Sequence, residues 1–251
     1  MSTASKATSD LKSPAAGNPA PGAAEKMERL DRLANLGVLS AGLAHEIKNG
    51  MVAIQTFVDL LLEKNQDAEL GDIVQHELKR INAIVSQMLQ IAAPGPASFH
   101  TVHIHQVLDH SLRLLRPPIL AKLIAVEKNY RADSDAVHGD DAQLQQTFMN
   151  LLLNAVEAMG PNGTLTLGTE SSAGDDGART LQIQIRDTGT GIAPENVARL
   201  FEPFFTTKKN GTGLGLAICH RIIHGHQGTI RAQSQAGKST TFSISLPVSA
   251  G

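Results

Sequence analysis

The feature that most constrains the fold is a change of hydrophobic period at a proline–glycine–proline break. From about Glu25, large apolar residues recur at intervals of three and four: Leu33, Leu36, Leu39, Leu43, Ile47, Met51, Ile54, Val58 and Leu61. That is the spacing of one face of a long helix. The polar stretch EKNQDAELGD predicts a turn, and a second stripe runs through Val74, Leu78, Ile81, Val85, Met88 and Ala92 until PGP ends it. Two long helices joined by a short loop make an antiparallel hairpin. One copy covers its apolar stripe only in part, so the expectation is a homodimer in which two hairpins form a four-helix bundle. A packing arm folded back on the rest of the chain is the competing reading.

Beyond Pro96 the pattern shortens. HTVHI and KLIAVEKNY read as strands with the helical HQVLDHSLRLL between them, and AVHGD as a short strand before the helix DAQLQQTFMNLLLNAVEAM. TLTLGTE and TLQIQIRD flank a Gly/Asp-rich hairpin. PENVARLF and GLAICHRIIHG read as helices, and GTIRAQS and TTFSISLP close the chain as strands. Strands and helices mix without a repeating parallel order, which predicts an α+β sandwich rather than a doubly wound sheet. The expected division is a disordered tail at 1–24, the hairpin at 25–94 and the α/β sandwich at 97–248.

Composition narrows the function. In 251 residues, 22 Lys plus Arg stand against 24 Asp plus Glu, which removes the electrostatic case for a nucleic-acid-coating protein. One Tyr, no Trp and seven Phe argue against a stacking platform for single strands. No apolar run approaches a membrane span and the tail lacks the apolar core of a secretory signal. The lone Cys219 fits a reducing compartment, so a cytoplasmic location is expected.

Four clusters carry chemistry. His45-Glu46-Ile47-Lys48-Asn49 lies in the first helix, with His45 off the apolar seam and Asn49 one turn later. A neutral imidazole is a nucleophile, and an adjacent carboxylate can take its other ring proton. Asn150 and Asn154 stand at i and i+4, where an amide oxygen suits Mg²⁺. Asp187-Thr-Gly189-Thr-Gly191 follows a strand, placing a hydrogen-bond acceptor for an exocyclic amine beside closely approachable backbone. Gly211-Thr-Gly213-Leu-Gly215 runs into a helix, whose N-terminus favours phosphate. Before it, FEPFFTTKKN holds three of the seven Phe and describes a lid over a nucleotide. Singly, each also fits a plain structural role: a solvated His–Glu pair, amides capping backbone, a glycine turn, or Phe packed in a core. His103 with His105, and His220 with His224 and His226, are read as solvated histidines rather than metal ligands.

In order, HEIKN, NLLLNAVEAM, DTGTGI, FEPFFTTKK and GTGLGLA resemble the H, N, G1, F and G2 boxes of two-component sensor histidine kinases, and AGKSTTFSISLP resembles the final strand of their GHKL-type ATPase domain. The resemblance covers roughly Glu25 to Pro247. It implies His45 as the phosphoacceptor, Glu46 as its base and Asn49 as a residue acting in dephosphorylation of the partner. Further, it implies ATP and Mg²⁺ as cofactors, Asn154 as the metal ligand supported by Asn150, and Asp187 reading adenine. Gly189, Gly191, Gly213 and Gly215 would shape the pocket, with Thr212, Leu214 and Thr241 near the nucleotide and Lys208 on a phosphate. The implied partner is a response-regulator receiver domain; with no membrane span or sensor-sized segment in the sequence, the expected route for a signal is the short tail or a separate sensor protein.

Two positions depart from the family pattern: Gly50 replaces the usual Pro, and Glu157 replaces a common phosphate-binding Lys or Arg. Glycine permits a bend beside His45 without forcing one, and Glu157 shifts phosphate neutralisation onto Mg²⁺ and the lid. Competing functions are a nucleotide-binding scaffold or phosphatase-dominated partner, and an ATPase of the gyrase or Hsp90 kind.

Overall fold

The computed structural model describes residues 97–173, 179–208 and 211–249, together with residues 52, 54, 56, 58, 59, 71, 73–75, 77, 78, 81, 82, 85 and 86. The last group is helical throughout. Gln75 Nε2 donates to Asp59 Oδ1 at 3.4 Å, linking the segments that carry the two apolar stripes. Leu78 is buried, whereas the stripe residues Ile54 and Ile81 stay 51% and 43% exposed in the single chain. The expected tail, His45, Glu46, Asn49 and Gly50 lie outside the described residues.

Twelve elements follow from His100. They are β1 (His100–His103), α1 (Ile104–Leu114), α2 (Arg116–Ala121), β2 (Ala125–Tyr130), β3 (Ala136–Gly139) and α3 (Asp141–Ala158). Then come β4 (Thr164–Ala173), β5 (Arg179–Asp187), α4 (Pro194–Val197), α5 (Gly215–Gly225), β6 (Thr229–Gln235) and β7 (Ser239–Pro247). Five strands form one mixed sheet in the order β2-β4-β5-β7-β6, parallel only at β2–β4, while β1 and β3 form a separate antiparallel ribbon. The expected α+β sandwich is what forms.

Period-two patterning explains the two layers. Leu181, Ile183, Ile185 and Asp187 of β5 and Thr240, Phe242, Ile244 and Leu246 of β7 turn to the helices and are buried. The alternate residues, among them Gln184 and Arg186, turn away. Helix α3 contributes Leu144, Phe148, Leu151, Leu152, Ala155 and Val156 to the same core, leaving a polar face for other use. Asp140 starts this helix: one oxygen accepts from the Gln143 N–H at 3.0 Å, the other from the Ser98 N–H at 2.9 Å. The expected strand KLIAVEKNY forms only from Ala125, because Leu123 turns at φ +53° and Ile124 drops into the core.

Two histidine groups differ from expectation. His226 is buried: its Nε2 accepts from the Asp140 N–H at 3.0 Å, so the proton sits on Nδ1, which donates to the Ile222 carbonyl at 2.8 Å. Asp135, remote in sequence, supplies a carboxylate to both His103 Nδ1 at 2.9 Å and His105 Nδ1 at 3.3 Å, and it accepts from the His105 N–H at the start of α1. Burial raises the carboxyl of Asp135, but the hydrogen bonds from His103 and from the His105 N–H, with both imidazoles, hold it below its ordinary value. His105 also stacks on Tyr130 at 4.4 Å, so it is a structural side chain.

Candidate functional site

The strand end, the polar face of α3 and the start of α5 converge on one side of the sandwich. Asp187 ends β5 with its side chain on the core side, and only 2% of the residue is exposed. Its Oδ1 accepts from the Gly189 N–H at 2.8 Å. Burial pushes this carboxyl up, against the Gly189 and Thr240 N–H groups that pull it down. The sheet register sets Thr240 opposite Asp187 and Thr241 opposite Arg186. Thr240 therefore shares the Asp187 face, and Thr241, the residue expected near the nucleotide, points to the other face. The period of two explains the difference: one step along β7 exchanges the faces.

The loop after Asp187 is fixed by backbone. The Thr190 N–H donates to the Ala158 carbonyl at the end of α3 (3.1 Å), and the Thr190 carbonyl accepts from the Gly237 N–H (2.6 Å). Ser234 Oγ accepts from the Ile192 N–H at 2.8 Å. Gly191 sits at φ +63°, where a Cβ would come 2.1 Å from the Gln235 carbonyl oxygen. Only glycine meets both the torsion and the approach.

On α3, Asn150, Asn154 and Glu157 stand one turn apart in succession on the side away from the core. Asn150 Nδ2 donates to the Gly215 carbonyl at 3.4 Å, tying α3 to the first residue of α5. No side chain caps α5, so the N–H groups of its first turn are open to an anion. Thr212 Oγ1 accepts from the Leu214 N–H at 3.3 Å, while Leu214 is fully buried with Ile218 and Ile222. Leu214 thus anchors the loop from below.

The lid residues divide. Phe201 packs against the core and the His220 ring, Phe205 lies under the Arg199 guanidinium at 4.5 Å, and Phe204 is 58% exposed at φ +65°. Gly213, at φ +68°, lets the glycine loop cross the Phe204 backbone, which a Cβ there would meet at 2.4 Å. Lys208 reaches back to α3: Nζ donates to Asn154 Oδ1 at 2.7 Å and to Glu157 Oε2 at 2.5 Å. A hard amide oxygen and a carboxylate already gather one cation here, and that donor set fits Mg²⁺.

The structure therefore brings together Asn150, Asn154, Lys208, Thr212, Gly213 and Gly215 at one end, and Asp187, Gly189 and Gly191 at the other. Thr240 is a residue the sequence reading misses, and Glu157 enters that reading only as a departure at a phosphate-binding position. Thr240 was legible only through the register, and Glu157 through its i+3 spacing from Asn154.

Residues 139–250 match the family of histidine kinase-, DNA gyrase B- and HSP90-like ATPases, and residues 35–95 match the His Kinase A (phospho-acceptor) domain. The chain belongs to the sensor histidine kinases. The phospho-acceptor match upstream separates it from the gyrase and HSP90 branches of the ATPase family. Among histidine kinases it is 34% identical over 229 residues to sensor histidine kinase ZraS of Escherichia coli, covering 89% of this chain and 48% of that one. With sporulation kinase C of Bacillus subtilis it is 34% identical over 212 residues, covering 84% and 48%. It thus spans about half the length of these curated relatives. The solved histidine kinase ThkA, in complex with the response regulator protein TrrA, superposes at a TM-score of 0.63 with 26% identity, covering 91% of this chain and 66% of that one. Among the described residues, no helix is long and apolar enough to cross a membrane.

Proposed function

We propose that this histidine kinase transfers the γ-phosphoryl group of ATP to its own His45 and then to an aspartate of a response-regulator receiver domain. The observation that carries the reading is the presence together of Asp187 at the end of β5, the Asn150–Asn154 face of α3 tied to α5 and the uncapped start of α5, downstream of a match to a phospho-acceptor domain. The Asp187 carboxylate accepts from the adenine amine, and Gly189 and Gly191 let the base approach the backbone. The α5 N-terminus and Lys208 receive the phosphates.

Asn154 would hold Mg²⁺ through its amide oxygen, and the ion would offset the charge of the phosphates. A ring nitrogen of His45 attacks the γ-phosphorus in line, the bond to the β,γ-bridging oxygen breaks, and ADP leaves. Glu46 takes the proton from the other ring nitrogen. Asn49 serves the reverse task, orienting water for hydrolysis of the phosphorylated receiver.

Dimerisation through the hairpin belongs to the same proposal, and the exposure of Ile54 and Ile81 in the single chain supports it. We assign the chain to the cytoplasm, where ATP and reduced thiols coexist; Cys219 is a free thiol. A separate sensor protein as the source of the signal belongs to the same proposal. Incubation with γ-labelled ATP should label the protein with acid-labile, base-stable phosphate that moves to one member of a receiver panel. Undiminished labelling of His45→Gln would overturn the assignment.

A further inference from the structure

The polar face of α3 also holds a charge to which the mechanism above gives no task. Glu157 is about half exposed and lies three residues after Asn154, at the end of the pocket where the phosphates bind. An ionised carboxylate there repels a triphosphate unless a cation stands between them. The geometry supplies a place for that cation, because Asn154 Oδ1 and Glu157 Oε2 both lie within 2.7 Å of one nitrogen, the Lys208 ammonium. Magnesium is commonly held by one or two protein carboxylates together with substrate phosphates and waters. The Asn154–Glu157 pair matches that demand in ligand type and number.

We infer that Glu157 is the second protein oxygen of the divalent-cation site and makes nucleotide binding conditional on that cation. This rests on the ATP-binding reading above. Lys208 is the occupant of the site in the nucleotide-free protein. When a divalent ion takes the two oxygens, the ammonium is released toward the phosphates, on the same short lid that carries it. The carboxylate thus discriminates between metal-bound and metal-free nucleotide, a distinction the amide of Asn154 cannot make alone because it carries no charge.

The test is calorimetric titration of the full chain with AMPPNP, once in Mg²⁺ and once in EDTA. For the natural chain, affinity should fall about tenfold or more in EDTA, the scale of one close charge–charge contact at a dielectric between that of water and that of a protein surface. Glu157→Gln should tighten metal-free binding and loosen Mg²⁺-dependent binding, compressing the ratio to within about threefold. Glu157→Asp, which keeps the charge, should retain most of it. With Mn²⁺ as probe, the electron paramagnetic resonance titration of the AMPPNP complex should show weaker metal retention in Glu157→Gln. A Glu157→Gln protein with the natural ratio and natural Mn²⁺ retention would overturn the inference while leaving the kinase reading intact. Absence of AMPPNP binding by the natural chain in Mg²⁺ would overturn the kinase reading and this inference together.

Discussion

The two ends of the proposed nucleotide site, with adenine at one and the phosphates at the other, are built by different means. At the adenine end, Asp187 is buried in the sandwich and its loop is stapled by backbone hydrogen bonds to α3 and to the β6–β7 turn. At the phosphate end, Asn154, Glu157 and Lys208 meet through exposed or half-buried side chains, one of them on the lid. The first end is preorganised and pays for it with a buried acid; the second can exchange partners. A base of fixed shape suits a fixed socket, whereas charged phosphates and a metal ion need groups that move between partners.

The largest effect should come from the fixed end. Gly191→Ala places a Cβ against the Gln235 carbonyl at φ +63° and should destabilise the domain by roughly 3 kcal/mol or more, read as a fall in Tm. A Tm unchanged by this substitution would show that the loop is not fixed.

Next is Asp187→Asn, which removes the charge and replaces one carboxylate oxygen with an NH2 group that would meet the proposed adenine amine donor to donor. AMPPNP affinity should drop by about 100-fold, the scale of a charged hydrogen bond and its unpaired partner. Stability should move the other way. The native carboxyl holds its proton more tightly than the unfolded one, so the stabilising contribution is present below the ordinary value of 3.8 and is lost as pH rises through the raised native value. At neutral pH Asp187→Asn should therefore melt higher than the natural chain, and the gain should vanish in acid. A lower Tm at neutral pH would mean that the carboxylate stabilises the apo fold.

Gly213→Ala acts on the movable end. It should raise protease cleavage in the lid several-fold while lowering Tm less than Gly191→Ala does, because local opening relieves the clash with Phe204. Equal global destabilisation would erase the distinction between the two ends. Smallest of all, Lys208→Met should change stability by no more than about 0.5 kcal/mol, read as a nearly unchanged Tm, since its ion pair with Glu157 is exposed.

Much of this was legible in the sequence. The helix GLAICHRIIHG runs from Gly215 to Gly225 as its apolar spacing predicts, and DAQLQQTFMNLLLNAVEAM becomes α3 behind an Asp140 cap. Local periodicity and capping chemistry are properties of neighbours in the chain, so a reading of neighbours finds them. The order of the glycine and asparagine boxes likewise pointed to the family, because each box is a short segment read from its own residues.

What the sequence determined by itself was therefore the set of elements, the apolar faces that join them, and the residue types available to bind a nucleotide. Tertiary structure alone decided which of two adjacent threonines faces Asp187, since strand pairing fixes Thr240 there. It decided that Asp135 reaches His103 and His105, and that His226 is buried against the Asp140 backbone. It also joined Lys208 to Glu157, across 51 residues of chain. These contacts depend on register and on the approach of distant segments, and neither is encoded in any local run of residues.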